Sequence, residues 1–437
     1  MAFKSITLGF LLTAATLPVT AFADDTLRKD IAADYNANLE SLFTHFHQNP
    51  ELSFLESKTA TRLASEIKAF GYDVTEGVGG TGIVAVMKNG AGPTVMIRAD
   101  MDGLPVKEDS GLSYASTALQ IDRDGVEKPV MHACGHDVHI TSLVGAARQM
   151  AARKDRWSGT LVLIGQPAEE LISGARAMLE DGLYTRFPKP DYALGFHVSA
   201  GIPSGRVEVA QGIAMSSSDS VDIIVKGVGA HGASPHKGID PVLVASQIVV
   251  SLQSVVSRSI APLEPGVITV GSIHGGNKHN IISDEVKMQL TVRSDSPKIR
   301  KQLLDGIDRV VEGVAISLDV PEELMPEVIR SKTQTTPPTI NDRATAERVI
   351  SVFEEKLPNG TLFSQPRQGM GAEDFSYFIT PETGVKGVYF WVGGTPEKDV
   401  EDAPSHHSPF FKVEPEPSIT LGTEATVLAA LDLLQKK

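Results

Sequence analysis

The stretch MHACGHDVHITSLVGAARQMAA, residues 131–152, decides the reading of this chain. Its first nine residues hold Cys134, His136 and His139, and Cys134 is the only cysteine in 437 residues. A thiol and imidazoles packed this closely are a donor set for a transition metal, zinc above all. From His139 to Ala152 the apolar spacing turns helical. Just after it, Thr160 to Ile164 form an unbroken apolar strand that runs into Gln166-Pro167-Ala168-Glu169-Glu170. A further strand, Tyr192 to Phe196, ends at His197. Upstream, Val84 to Met87 and Thr94 to Arg98 read as strands, the second entering the polar turn Asp100-Met101-Asp102-Gly103.

Strand, then acidic or histidine-bearing loop, then helix is therefore a repeating unit. It is the grammar of a mostly parallel α/β sheet, whose chemistry collects at the carboxyl ends of the strands. Helical spacing also covers 27–47, 56–70 and 173–180.

The pattern changes near residue 215. Ser220 to Lys226 alternates as a strand, 240–260 is a long amphipathic helix, Val267 to Ile273 and Glu285 to Arg293 are strands, and 298–318 is a helix. This order predicts a smaller α+β domain, residues 215–331, inserted between catalytic segments 24–214 and 332–437. Thr335 to Pro338 reads as the return linker. Helices at 343–356 and 422–436 and a strand at 387–392 complete the larger unit.

Composition limits the partners. Hydrophobic residues make up 41% of the chain, enough for a sizeable core, and the formal net charge is −14. That charge argues against nucleic acid or an anionic membrane surface. It also means that an anionic substrate needs a local cationic pocket. Residues 1–23 read as a signal peptide: Lys4, an apolar stretch from Ile6 to Val19, and the small-residue box Ala21-Phe22-Ala23. No other segment reads as apolar for long enough to cross a membrane. The expected location is outside the cytoplasm, periplasmic if the source is Gram-negative.

Two ions about 3.5–4 Å apart can jointly polarise a carbonyl and activate water. Such a pair needs five or six protein ligands. Cys134, His136, Glu170, His197 and His407 supply five. In the Glu169-Glu170 pair one carboxylate can bind metal while the other serves as the base that moves a proton from water to a leaving amine.

The ordered motifs resemble the aminoacylase and carboxypeptidase metallopeptidase family, in its amidohydrolase branch of hippurate, N-acyl-amino-acid and auxin-conjugate hydrolases. They are HQNPELS from His47, RADMDGLP from Arg98, MHACGHDVH from Met131, QPAEE from Gln166 and GFHV from Gly195. HGASPHKGIDP from His231, HNIISDE from His279, GMGAEDFSYF from Gly369 and HHSPFF from His406 continue the series. The resemblance implies a two-metal site of zinc, manganese or cobalt, the five ligands above, and Glu169 as general base. It selects His407, directly before Ser-Pro, over His406, and leaves His132, His139, Asp100, Asp102 and Asp137 in supporting roles. The inserted domain resembles a lid or dimerisation domain, so a homodimer is expected. In it His231 matches a histidine that reaches the substrate carbonyl, often across subunits. Asn280 and Arg293 match a pair that contacts the substrate carboxylate. One departure stands out: Ser283 replaces a usual proline and loosens the turn after Asn280.

The expected activity is metal-dependent hydrolysis of the amide of an N-acyl amino acid or a related small conjugate. An exported dipeptidase or carboxypeptidase is the alternative. A non-catalytic metal-binding protein is a third reading, opposed by the presence of Glu169 with every ligand.

Overall fold

A computed structural model describes residues 25–367 and 369–436; the expected signal segment, 1–23, lies outside the described residues. A seven-stranded sheet organises the larger unit. Across it the strands run Asp73–Val78, Gly82–Asn89, Gly159–Gln166, Thr94–Asp100, Tyr192–Pro203, Lys386–Thr395 and Val207–Val209. The four strands from Gly159–Gln166 to Lys386–Thr395 are parallel, and the flanking pairs are antiparallel. The central strands are buried on both faces, which is why they read as apolar runs rather than alternations.

Helix His136–Ala152 is buried on nearly every side. It packs against helix Pro415–Leu433, where Gly145 allows close approach: a Cβ there would meet Thr423 Oγ1 at 2.8 Å. The Pro415 helix begins seven residues before the expected 422. Proline is tolerated at the first helical position because that N–H has no partner within the helix.

The second unit is a four-stranded antiparallel sheet, in the order Gly266–Gly275, Glu285–Ser294, Ser217–Lys226 and Glu327–Thr336. Helices Pro241–Ser254 and Pro297–Ser317 pack on it around its own core of Ile223, Ile248, Leu252, Met288, Leu290 and Leu303. The edge strand Glu327–Thr336 continues past the expected boundary at 331. It is mostly exposed, so it carries no alternating apolar signal. One expectation needs correction: Pro241–Ser259 is long and apolar enough, by length and composition, to cross a membrane. It lies instead on the second sheet through Val244, Ala245, Ile248 and Leu252, leaving Val242, Leu243 and Val250 exposed.

At the centre of the large sheet Arg98 is fully buried. Its guanidinium lies 2.6 Å from Asp100, 2.7 Å from Glu373 and 3.3 Å from Asp374, and donates to Gln166 Oε1 at 2.8 Å. Breaking a buried ion network by removing one partner leaves uncompensated charge. Arg98→Met is therefore expected to destabilise the fold by about 3–5 kcal/mol, measured by urea unfolding; a loss below about 1 kcal/mol would show that the network is not needed.

Candidate metal centre

The loop before helix His136–Ala152 turns through Gly135 at φ +83°, a left-handed conformation that suits glycine. A Cβ there would also sit 2.4 Å from Val198 Cγ1, so the position excludes larger residues. The turn presents Cys134 and His136 to the same spot. His136 Nδ1 donates to the Asp102 carbonyl at 2.9 Å, which leaves the Nε2 lone pair facing inward. That buried Nε2 has no hydrogen-bond partner, and neither has Glu170 Oε1. Unpaired buried acceptors pointing into one cluster are what an ion would satisfy.

The acidic pair is held by its backbone. Asp102 accepts the N–H of Glu169 at 3.1 Å and of Glu170 at 3.0 Å, and Ser53 Oγ donates to it at 2.6 Å. Just before the pair, Ala168 has φ +50°, a strained conformation for a residue with a Cβ. This bend turns both carboxylates toward His136 Nε2, Glu169 at 3.9 Å and Glu170 at 4.0 Å. Cys134, His136 and Glu170 present ligand atoms all within 4.8 Å of one another.

The histidines separate by what their nitrogens already do. His197 Nδ1 donates to the Val198 carbonyl at 2.6 Å, so its Nε2 lone pair faces Cys134 Sγ at 3.4 Å. His139 is engaged at both ends, with Asp100 at 2.5 Å and the Val198 N–H at 2.8 Å, and so supports rather than ligates. His407 has φ +66°, is tied to Ala133 O through its N–H at 2.8 Å, and brings Nε2 to 3.4 Å from Glu170. All five expected ligands therefore converge. His132 is buried with neither nitrogen partnered, and Asp137 accepts from His47 at 2.7 Å.

Sequence reasoning missed three members of the neighbourhood. Glu373 and Asp374 cluster with Glu169. They belong to the quoted GMGAEDFSYF motif, whose spacing alone gives no hint of that contact. His406, passed over in favour of His407, lies 3.7 Å from Cys134 Sγ.

Electrostatics mark the centre as short of positive charge. Burial pushes the Cys134 thiol well up, with Glu170, Glu169 and Asp100 adding to it. Burial raises Glu169 well above the carboxylate range, helped by Glu373, Glu170 and Asp374. Glu170 is pushed up to about 8, chiefly by burial. Burial opposes a charge on His136, yet Asp100 and Asp102 outweigh it and raise the ring to about 10. The carboxylates around His136 thus favour positive charge at this spot. His197 and His407 are lowered, first by burial, and offer neutral imidazoles. The donor set fits divalent ions.

The lid residues divide. His231 is exposed on Ala230–His231, paired with Ile281–Ile282, and Asn280 sits beside it, its carbonyl accepting the Gly232 N–H at 2.9 Å. Asn280 Oδ1 is buried without a partner. Arg293 is at the other end of strand Glu285–Ser294, half-buried, donating to Thr291 Oγ1 at 3.0 Å. At about 3.3 Å per residue, the strand separates Arg293 from the Asn280 end by roughly 25 Å. One chain does not bring Asn280 and Arg293 onto a single carboxylate.

Comparisons with known proteins agree with this geometry. The model of the peptidase family M20/M25/M40 matches residues 96–432. Thermostable carboxypeptidase 2 of Saccharolobus solfataricus is 35% identical over 394 residues, covering 89% of this chain and 94% of that protein. Hippurate hydrolase of Campylobacter jejuni is 36% identical over 346 residues, covering 79% and 86%. Among solved structures, the Bacillus subtilis YXEP protein, described as a dinuclear metal-binding peptidase, superposes with a TM-score of 0.73 at 26% identity, over 94% of this chain and 99% of that one.

Ligation needs a thiolate, a carboxylate and a neutral imidazole, whereas burial and neighbouring carboxylates favour the protonated forms of Cys134, Glu170 and His136, so metal binding is expected to release protons. Affinity for zinc or cobalt is expected to fall as pH drops from about 8 to about 6, with more than one proton released per ion in calorimetry across buffers. A pH-independent affinity would contradict the assignment.

Proposed function

The chain belongs to the peptidase family M20/M25/M40 and is a metal-dependent amidohydrolase, and we propose that it cleaves the amide of N-acyl amino acids with Glu169 as general base. The observation that carries this reading is the Glu169-Glu170 pair. Asp102 fixes both backbones, Glu170 reaches the Cys134–His136 cluster, and Glu169 remains over for proton transfer.

Cys134, His136, Glu170, His197 and His407 would hold two ions, of zinc, manganese or cobalt. When bound, the ions supply Lewis acidity at the acyl carbonyl and make water a better nucleophile. Glu169 accepts the proton of the attacking water and returns it to the leaving nitrogen as the C–N bond breaks. A carboxylic acid and a free amino acid result. Burial and the neighbouring Glu373 favour the protonated form of Glu169, so its carboxylate gains a proton readily.

Arg293, on the second sheet, is the cation assigned to the substrate carboxylate. His231 and Asn280 are assigned to the acyl carbonyl and carboxylate of a partner chain's substrate, in a homodimer. Two features support this: their separation from Arg293 within one chain, and the exposed Val242, Leu243 and Val250 on the Pro241–Ser254 helix. The acyl group is assigned to a cavity of about 790 Å³ lined in part by Ser199, Ile213, Met215, Phe363 and Trp391. Trp391 is the register partner of His197 on the neighbouring parallel strand, so both side chains leave the same face of the sheet. That lining suits an aromatic acyl group better than acetyl. Export is proposed from Lys4 and the Ala21-Phe22-Ala23 box.

The likeness to a carboxypeptidase sustains a second reading, in which the acyl side is itself an amino acid or peptide. The test is amine release from N-acetyl, N-benzoyl and indole-acyl amino acids and from peptides, using metal-stripped and reloaded protein. Metal-dependent release, greatest for aromatic acyl groups, is expected. Glu169→Gln should retain its metal and lose activity by about 10²–10⁴-fold. Parent-like turnover in that variant would remove Glu169 from the mechanism, and activity on peptides alone would favour the carboxypeptidase reading.

A further inference from the structure

His406 is not among the five expected ligands, yet it touches the centre. Its Nδ1 lies 3.7 Å from Cys134 Sγ, and its Nε2 lies 3.2 Å from the backbone nitrogen of Ala200. A backbone N–H can only donate, so Nε2 must present its lone pair. The proton of the neutral ring then sits on Nδ1, directed at the sulfur. The ring is held in this orientation by Phe411, 4.7 Å away between centroids, and by the edge of His197 at 5.2 Å.

His197 approaches the same sulfur with the opposite chemistry. Its Nδ1–H is spent on the Val198 carbonyl, so a lone pair faces Sγ at 3.4 Å. Two imidazoles therefore flank Cys134, one able to bind an ion and one able only to donate a hydrogen bond. For His406 to ligate through Nδ1, its proton would have to move to Nε2, where it would oppose the Ala200 N–H.

We infer that His406 is a positioning residue for Cys134: its Nδ1–H donates to the thiolate and sets how much charge the sulfur gives to the metal. The inference rests on the ligand role proposed for Cys134. The need for such a donor is local. Cys134 shares its surroundings with Glu169, Glu170 and Asp100, and a hydrogen bond disperses charge that those carboxylates crowd together. Outer hydrogen bonds of this kind tune both affinity and electronics at metal sites.

The test uses cobalt-loaded protein and reads the thiolate-to-cobalt charge-transfer absorption, the cobalt count per chain, and cobalt affinity by chelator competition. Three variants separate the roles. His406→Asn puts an amide N–H near the Nδ1 position. His406→Gln puts an amide oxygen near Nε2, keeping a partner for Ala200 but losing the donor to sulfur. His406→Phe fills the space with no donor. The donor-less Gln and Phe variants are expected to shift the band to lower energy and weaken cobalt affinity by about 10-fold or more, with an unchanged cobalt count; the Asn variant should keep the parent band. One band position in the parent and all variants would overturn the inference. So would loss of one cobalt in the Gln or Phe variant, since His406 would then be a ligand. If Phe does not fold, the Asn and Gln pair decides alone. If the parent itself shows no thiolate-to-cobalt band, the ligand role of Cys134 fails, and this inference with it.

Discussion

Asp102 ties the centre together. Its carboxylate accepts the backbone N–H groups of both Glu169 and Glu170, and its carbonyl accepts the Nδ1–H of His136. One residue thereby sets the tautomer of a candidate ligand and the position of a carboxylate pair from a different strand end. The strained backbone at Ala168 is tolerable because these bonds over-determine the loop. Asp102 can do this only because the Thr94–Asp100 and Gly159–Gln166 strands are parallel neighbours, which brings their carboxyl ends side by side.

The same arrangement concentrates negative charge. Glu169, Glu373 and Asp374 meet in one buried cluster, with Asp100 and Glu170 close by. Arg98, buried beneath them, offsets part of it through Asp100, Glu373 and Asp374, and Tyr389 donates to Glu373 at 2.5 Å. The remainder shows in the upward shifts of Glu169, Glu170, Cys134 and His136. Divalent ions would relieve all of these together. Fold stability, metal affinity and the basicity of Glu169 are thus linked through one electrostatic balance.

Much of this was legible in the sequence because it is local or periodic. The Cys134–His136 turn, the acidic pair after an apolar strand and the parallel grammar all lie within short windows, and all five expected ligands converge. What escaped is long-range or weakly patterned. Glu373 joins Glu169 across some two hundred residues, and no spacing rule encodes that approach. His406 and His407 are adjacent and chemically identical; only the Ala200 N–H shows how the first ring is oriented. The Glu327–Thr336 strand is exposed on an edge, so no apolar alternation marked it. The distance between Asn280 and Arg293 depends on how a whole strand is laid down, which motif matching does not report.

The account's central claim is that Cys134 and the carboxylate pair organise a two-ion centre. Anomalous diffraction from crystals of zinc-loaded protein, recorded on both sides of the zinc absorption edge, tests it most directly. The account predicts two peaks per chain, within bonding distance of the donor atoms of Cys134, His136, Glu170, His197 and His407, with Glu169 touching neither. A single peak, or density centred on Glu169, Glu373 and Asp374, would contradict it.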